Sequence, residues 1–248
     1  MFDESVRLVL ALNSLSHGAV TAAEAELMVR RDAGSEHQEP HHVHDPDQLL
    51  GLDPLAGVPL RLALARIGHG ALGPAPVWAL LLPRPGRMAG LRGPLEVNRA
   101  ALEAEAVVMT HDGSLAWLGQ RVGAGVQWRL ARAERPLPVP DPREASRQLS
   151  RVVASAAQAM AGLDLSGGAH PELEGAPRLG GAFPRQPQAL LERAWMLLGA
   201  VDAALDSQHE VLHSHAVLTR ERHLRELQQA ALDAVSAACS WPAEALQD

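Results

Sequence analysis

Lysine and tyrosine are absent from this chain of 248 residues, and cysteine occurs once, at Cys239. Without lysine the chain supplies neither a Schiff-base amine nor the phosphate-binding lysine of a Walker A loop. A single cysteine excludes an internal disulfide and a cysteine-rich zinc module, and it is typical of a reducing compartment. These absences remove several enzyme classes before any motif is considered.

The formal net charge of −7 argues against broad nucleic-acid binding, which depends on a basic surface that neutralises phosphates. The first residues lack the basic region and the long apolar run of a signal peptide. No apolar stretch reaches the length of a membrane span. The sequence therefore predicts a soluble cytoplasmic protein that binds neither nucleic acid nor membrane.

Two turns in the middle of the chain predict a β-meander over residues 106–133. Asp112-Gly113 is a pair typical of a tight hairpin, and Gly123-Ala124-Gly125 is expected to form a three-residue loop. Because side chains alternate along a strand, the two turns fix which residues share a face. The expected apolar face consists of Val107, Met109, Ala116, Leu118, Val122, Val126, Trp128 and Leu130.

Helix signals flank this meander. An apolar stripe over residues 3–15 predicts a first helix, and the capping box Thr21-Ala22-Ala23-Glu24 begins a second that ends near Arg31. Asp141-Pro142 begins a longer helix to Leu163, which is expected to cover the apolar sheet face. The other expected elements are helices at 47–50, 58–67 and 95–105 and a buried strand at 77–82.

Together these signals predict an α+β fold, with a small, mainly antiparallel sheet of about four strands covered by helices. Residues 1–166 form the expected α+β domain, and 167–187 form a linker rich in glycine and proline. Residues 188–248 carry two apolar stripes too long for one ordinary helix. We therefore expect a break between Ser207 and Thr219 and an antiparallel helical pair packed on the first domain.

Three segments in the middle third of the chain resemble a family of uncharacterised proteins from high-GC bacteria. They are Leu81-Leu82-Pro83-Arg84-Pro85-Gly86, Leu91-Arg92-Gly93-Pro94-Leu95 and Asn98-Arg99-Ala100-Ala101-Leu102-Glu103. The resemblance implies no assigned activity, cofactor or catalytic residue. Function therefore has to be inferred from the residues themselves.

One stretch matches a catalytic pattern. In His209-Glu210-Val211-Leu212-His213, two histidines one helical turn apart would bind zinc, and Glu210 would activate water. Glu226 or Glu221 would be the third ligand. The stretch also falls where the helix break is expected, so the alternative is a polar loop without metal. A zinc-dependent hydrolase is thus the second hypothesis, and a protein without a cofactor is the first.

A histidine-rich segment, 34–44, contains Pro40 and is expected to be a loop that ends at Asp45, the cap of the helix at 47–50. Imidazole and carboxylate groups suit zinc or nickel. The two alternatives are a solvated loop and a weak metal site. The candidate ligands are Glu36, His37, Glu39, His41, His42, His44 and Asp45.

In the expected register, Trp117, Arg121 and Arg129 lie on the second face of the sheet. Two arginines there need water, a carboxylate or a partner, and tryptophan with arginine is enriched at binding hot spots. Either a helix covers Trp117, or the three residues bind a partner protein. Since every other clear motif is a cap, a turn or a core stripe, the sequence favours a non-catalytic protein-interaction or assembly module.

Overall fold

A computed structural model describes residues 1–30, 40–73, 75–161, 175–181, 183, 186–206 and 214–240. These residues form an α+β fold with seven helices and a six-stranded sheet. The helices are α1 (Phe2–Ser16), α2 (Ala22–Arg30), α3 (Leu60–Gly68), α4 (Leu95–Ala104), α5 (Pro142–Ala161), α6 (Gln186–Asp206) and α7 (Ser214–Cys239). The strands are β1 (His41–His44), β2 (Val58–Pro59), β3 (Trp78–Leu81), β4 (Val107–Thr110), β5 (Ala116–Val122) and β6 (Gly125–Ala131).

Two compact units divide the chain. The described residues of 1–139, 179–184 and 239–248 form unit 1, and those of 140–178 and 185–238 form unit 2. Unit 1 contains the whole sheet, in the order β2-β1-β6-β5-β4-β3. The sheet has two strands more than the sequence predicts, and β1 pairs with β6 in parallel, so it is mixed rather than mainly a four-stranded meander.

The two hairpins test the predicted register separately. The first is confirmed, with Met109 opposite Ala116. The second is wrong by one residue, because the chain turns through Gly123 and Ala124 alone and Val122 pairs with Gly125. A slip of one residue moves every side chain of β6 to the other face. Trp128 therefore lies opposite Gly119, and Arg129 lies opposite Leu118.

Both faces of the sheet are apolar where helices cover them. On the face towards α1, the buried side chains are Trp78, Leu80, Val108, Trp117, Trp128 and Leu130. The other face packs against Val97 and Ala101 of α4. Its buried strand residues are Leu81, Val107, Met109, Ala116, Leu118 and Ala131. The prediction that Leu118 and Trp128 share one face under α5 was therefore wrong, because Leu118 lies with α4 and Trp128 lies on the opposite face.

The segment at 41–44, expected to be loop, is strand β1. His41 and Val43 are buried, whereas His42 is exposed and His44 half-buried, which is the alternation of a strand. The helix expected at 47–50 is absent from the described residues. The buried carboxylate of Asp45 instead accepts the backbone N–H groups of three leucines and organises a loop. The N···O distances are 2.7 Å from Leu49, 2.9 Å from Leu50 and 3.2 Å from Leu52.

Two predicted helix caps are confirmed. The Thr21 N–H donates to Glu24 Oε2 at 2.8 Å, and the Glu24 N–H donates to Thr21 Oγ1 at 3.3 Å, so the capping box begins α2. Asp141 Oδ1 accepts the N–H groups of Arg143 and Glu144 at 2.8 and 3.3 Å and begins α5. Satisfied donors at these ends explain why the sequence located both helices correctly.

Unit 2 contains α5, α6 and nearly all of α7. Arg220 of α7 donates to the Ala204 carbonyl at 2.8 Å, and Gln228 donates to Asp202 Oδ1 at 2.7 Å. Arg220 precedes Gln228 in α7, whereas its partner Ala204 follows Asp202 in α6. The two helices therefore run in opposite directions, as in an antiparallel pair. The expected break lies partly outside the described residues, which resume at Ser214.

Asn13 closes the outer edge of the sheet. Its Oδ1 accepts the Trp78 N–H at 3.1 Å, and its Nδ2 donates to the Trp78 carbonyl at 3.2 Å. Two residues along β3, the Leu80 N–H donates to Ser240 Oγ at 3.0 Å. Side chains thus replace the missing neighbour strand, so these backbone groups are not available for edge pairing.

We expect Asn13→Leu to lower the free energy of unfolding by about 3 kcal/mol, because each buried backbone group without a partner costs roughly 1 to 3 kcal/mol. Urea denaturation measures the change. The control is Ser16→Ala, which removes only the bond from Trp78 Nε1 to Ser16 Oγ and should cost about 1 kcal/mol. Equal losses in the two variants would show that Asn13 does not hold this edge.

Candidate functional site

The face of the sheet that carries α4 is only half apolar. Towards β6 and β1 its side chains become polar, and we call this part the open sheet face. It consists of His42, His44, Gln120, Gln127 and Arg129. The strand register brings them together, because Gln127 lies beside His42 and opposite Gln120, and Arg129 lies beside His44.

A groove of about 400 Å³ runs where the open sheet face meets α4. Ala100, Glu103 and Ala104 of α4 form one wall. Four residues of the open sheet face also line it, namely His44, Gln120, Gln127 and Arg129. This volume falls within the range of about 300 to 1,000 Å³ that is common for ligand sites.

The polar groups of the groove are ready to form hydrogen bonds. Arg129 is exposed and makes no hydrogen bond or ion pair within the described part of the chain, and the same holds for the side-chain amides of Gln120 and Gln127. His44 Nε2 lies 3.0 Å from the Pro54 carbonyl, which can only accept, so this nitrogen carries the proton. A guanidinium flanked by amides suits a carboxylate ligand.

Arg121 lies at the rim of this groove, but its guanidinium forms an ion pair with Glu4 of α1. Glu4 also lies 3.4 Å from the Met1 amino group. Burial raises the pKa of Glu4, but a backbone hydrogen bond, the amino-terminal charge and Arg121 together lower that pKa below its usual value. Arg121 therefore has a structural contact that Arg129 lacks.

The three residues expected to form one partner surface are separated. Trp117 is fully buried and packs edge-to-face on Trp128, with ring centroids 6.4 Å apart. Arg129 lies on the opposite face because of the shifted register. Trp117 thus cannot contact a partner in this fold, and the shared surface predicted for it was wrong. Arg121 and Arg129 both line the groove, although they are on opposite faces of the sheet.

The metal hypotheses have different outcomes. His209, Glu210 and His213 lie outside the described residues, as does His37. Glu226 is 53% exposed, and its Oε2 is 3.3 Å from His223 Nδ1. His41 points to the face opposite His42 and His44, and its Nδ1 accepts the Trp128 Nε1–H at 3.1 Å. Among the described residues no three histidine, cysteine or acidic side chains are grouped to hold a metal ion.

The sequence placed Gln127 and Arg129 on one face of the sheet, because they alternate with Val126, Trp128 and Leu130. It did not add His42 and His44 to that face, although they flank Val43 with the same period of two, because 34–44 was expected to be loop. Gln120 was missed because the expected register set it opposite Trp128 instead of Gln127.

These features define an α+β domain whose half-covered sheet carries a polar groove beside a helix. The chain belongs to the family of Rv1486c-like proteins, since the family model for the N-terminal domain of an Rv1486c-like protein matches residues 5–145. The three segments that carry the resemblance lie inside this range. No curated protein matches the chain significantly, nor does any solved structure. In the described part of the chain, no helix is both long enough and apolar enough to cross a membrane.

The lowered pKa of Glu4 predicts a pH-dependent loss of stability. The ionised carboxylate stabilises the fold above the unfolded pKa, and this contribution disappears as the pH falls through the lower, folded pKa. We expect Glu4→Gln to be less stable than the wild type near about pH 7, with the gap closing as the pH falls below the ordinary pKa of a glutamate and through the lowered pKa of Glu4. Thermal unfolding across this range measures the gap.

Glu103→Gln is the control, because Glu103 is exposed and forms no ion pair in the described part of the chain. Its gap to the wild type should stay small throughout. A gap for Glu4→Gln that is independent of pH would contradict the stabilising role of the Glu4 carboxylate.

Proposed function

We propose that this protein is a non-catalytic interaction module whose open sheet face binds an acidic segment of a partner protein. The observation that carries the proposal is the exposed guanidinium of Arg129, which has no partner in the described residues. It lines the groove beside α4 together with the amides of Gln120 and Gln127. An arginine so placed can form a bidentate contact with a carboxylate.

The charges in the groove favour an acidic partner. Among the described residues that line it, Arg121 is paired with Glu4, whereas Arg129 has no acidic partner in the described part of the chain. The chain as a whole has a formal net charge of −7, so an unpaired guanidinium distinguishes this surface from the average one. Charge complementarity of this kind mainly raises the association rate and selects the partner.

The edges of the sheet are less suited to binding than its face. Asn13 and Ser240 occupy backbone groups on the edge of β3. At the opposite edge, β2 has only two residues, Val58 and Pro59, and proline has no N–H to donate. A partner that added a strand would find few free groups at either edge, which supports docking on the open sheet face.

The side chains of the groove support binding rather than covalent chemistry. The described residues that line it include no serine, threonine, cysteine or lysine, which are common nucleophiles. The polar side chains among these described residues are amides, guanidinium groups, a carboxylate and an imidazole. They can fix the orientation of a bound carboxylate through hydrogen bonds and ion pairs.

A photo-crosslinking residue in place of Gln127, introduced in the cells that make the protein, identifies what occupies the groove. The same residue in place of Arg132 is the control, because Arg132 is exposed but does not line the groove. We expect a discrete protein adduct from position 127 and none from position 132. Adducts of equal yield from the two positions would contradict a specific partner at this face.

Binding of the purified partner is then measured for two matched variants. Arg129→Glu should weaken it by about tenfold or more, because a charge pair turns into a repulsion. Arg132→Glu makes the same change of charge outside the groove and should alter affinity by less than about twofold. Equal effects of the two variants would reject the role of Arg129.

A further inference from the structure

An open depression of about 610 Å³ lies along α5 in unit 2, and we call it the α5 cavity. The described residues that line it are Glu144, Ser146, Arg147, Ser150 and Arg151. Two Ser-Arg pairs therefore repeat at a spacing of four residues, which is about one helical turn, so they are neighbours along one side of α5. The sequence did not suggest this site, because neither pair matches a known catalytic motif.

The arginines of α5 are placed where a helix alone does not favour them. Arg147 and Arg151 are exposed and lie four residues apart, so two like charges are neighbours on one side of the helix. An anion bound between them would relieve this repulsion.

Ser150 is oriented by a neighbouring helix. Arg193 of α6 donates from Nη1 to Ser150 Oγ at 2.9 Å. Because that bond uses a lone pair of the oxygen, the hydroxyl proton of Ser150 remains available as a donor. Arg151 forms no hydrogen bond or ion pair with any described residue. The two groups can therefore act together on one ligand oxygen or on neighbouring ones.

We propose that this cavity binds a phosphate group, with Arg147, Arg151, Ser146 and Ser150 as its ligands. Guanidinium groups form bidentate bonds with phosphate, and serine hydroxyls add shorter-range donors. Among the described residues that line the cavity, Arg147 and Arg151 outnumber the single acidic residue, Glu144, and Arg193 adds a positive charge beside Ser150. The four proposed ligands lie beyond the matched residues 5–145, and none of them lines the groove of the open sheet face.

Titration calorimetry of the full chain with inorganic pyrophosphate tests the proposal. We expect one-to-one binding that Arg151→Gln weakens by about tenfold or more, with a smaller loss in Ser150→Ala. The control is Arg143→Gln, which removes the same charge from the same helix outside the cavity and should change affinity by less than about twofold. Both arginines are exposed, so each variant should fold, and circular dichroism checks this.

The phosphate group can belong to a soluble compound or to a lipid headgroup. Co-sedimentation with phosphatidylcholine vesicles, with and without phosphatidylinositol bisphosphate, separates these sources. Binding of pyrophosphate alone indicates a soluble ligand, and binding to the phosphoinositide vesicles that Arg151→Gln abolishes indicates a headgroup. Binding of neither probe would overturn the proposal, as would an equal loss in Arg143→Gln and Arg151→Gln.

Discussion

The contact between Gly119 and Trp128 determines the arrangement of the sheet. The two residues are directly opposite each other, and a Cβ atom built on Gly119 would lie 2.9 Å from Cζ3 of the indole. Only glycine leaves room for the ring at this position. With Trp128 directed to the α1 side, its indole N–H reaches His41 of β1. The alternate residues of β6, Gln127 and Arg129, then face the other way, onto the open sheet face.

Helix α1 connects the parts of unit 1 that are distant in sequence. It packs against β3 and β4, and its Asn13 binds the backbone of Trp78 as well as the Cys239 carbonyl at 3.4 Å. At its other end Glu4 holds Arg121. The residues on the α1 side of the sheet are therefore buried or paired and stabilise the fold. The opposite side, where α4 covers only part of the strands, is the side that retains polar groups for binding.

Local signals predicted the capped helices and the strands of the meander, but they missed β1 and β2 and gave the wrong pairing of β5 with β6. Caps such as Thr21 with Glu24 bind groups only three residues away, so the sequence shows them directly. The Gly123-Ala124-Gly125 turn is compatible with a loop of two or of three residues. The assumption that the sheet has a single apolar face favoured the three-residue loop, which was wrong. Because helices cover both sides of the sheet, that assumption did not hold. Asn13 bonds to residues 65 and 226 positions away, a pairing that no local pattern encodes.

The register of β5 and β6 is the claim on which the open sheet face depends, and nuclear magnetic resonance can test it in the unmodified chain. The Val126 N–H donates to the Pro40 carbonyl and so points away from β5. Arg121 and Val126 are therefore a non-hydrogen-bonded pair of β5 and β6, and so are Gly119 and Trp128, two residues further along. Their Cα atoms should be about 4.5 Å apart. We therefore predict strong Hα–Hα Overhauser contacts between Gly119 and Trp128 and between Trp117 and Leu130. Contacts between Gln120 and Trp128 and between Leu118 and Leu130 would instead show the alternative register, which would remove Arg129 from the groove.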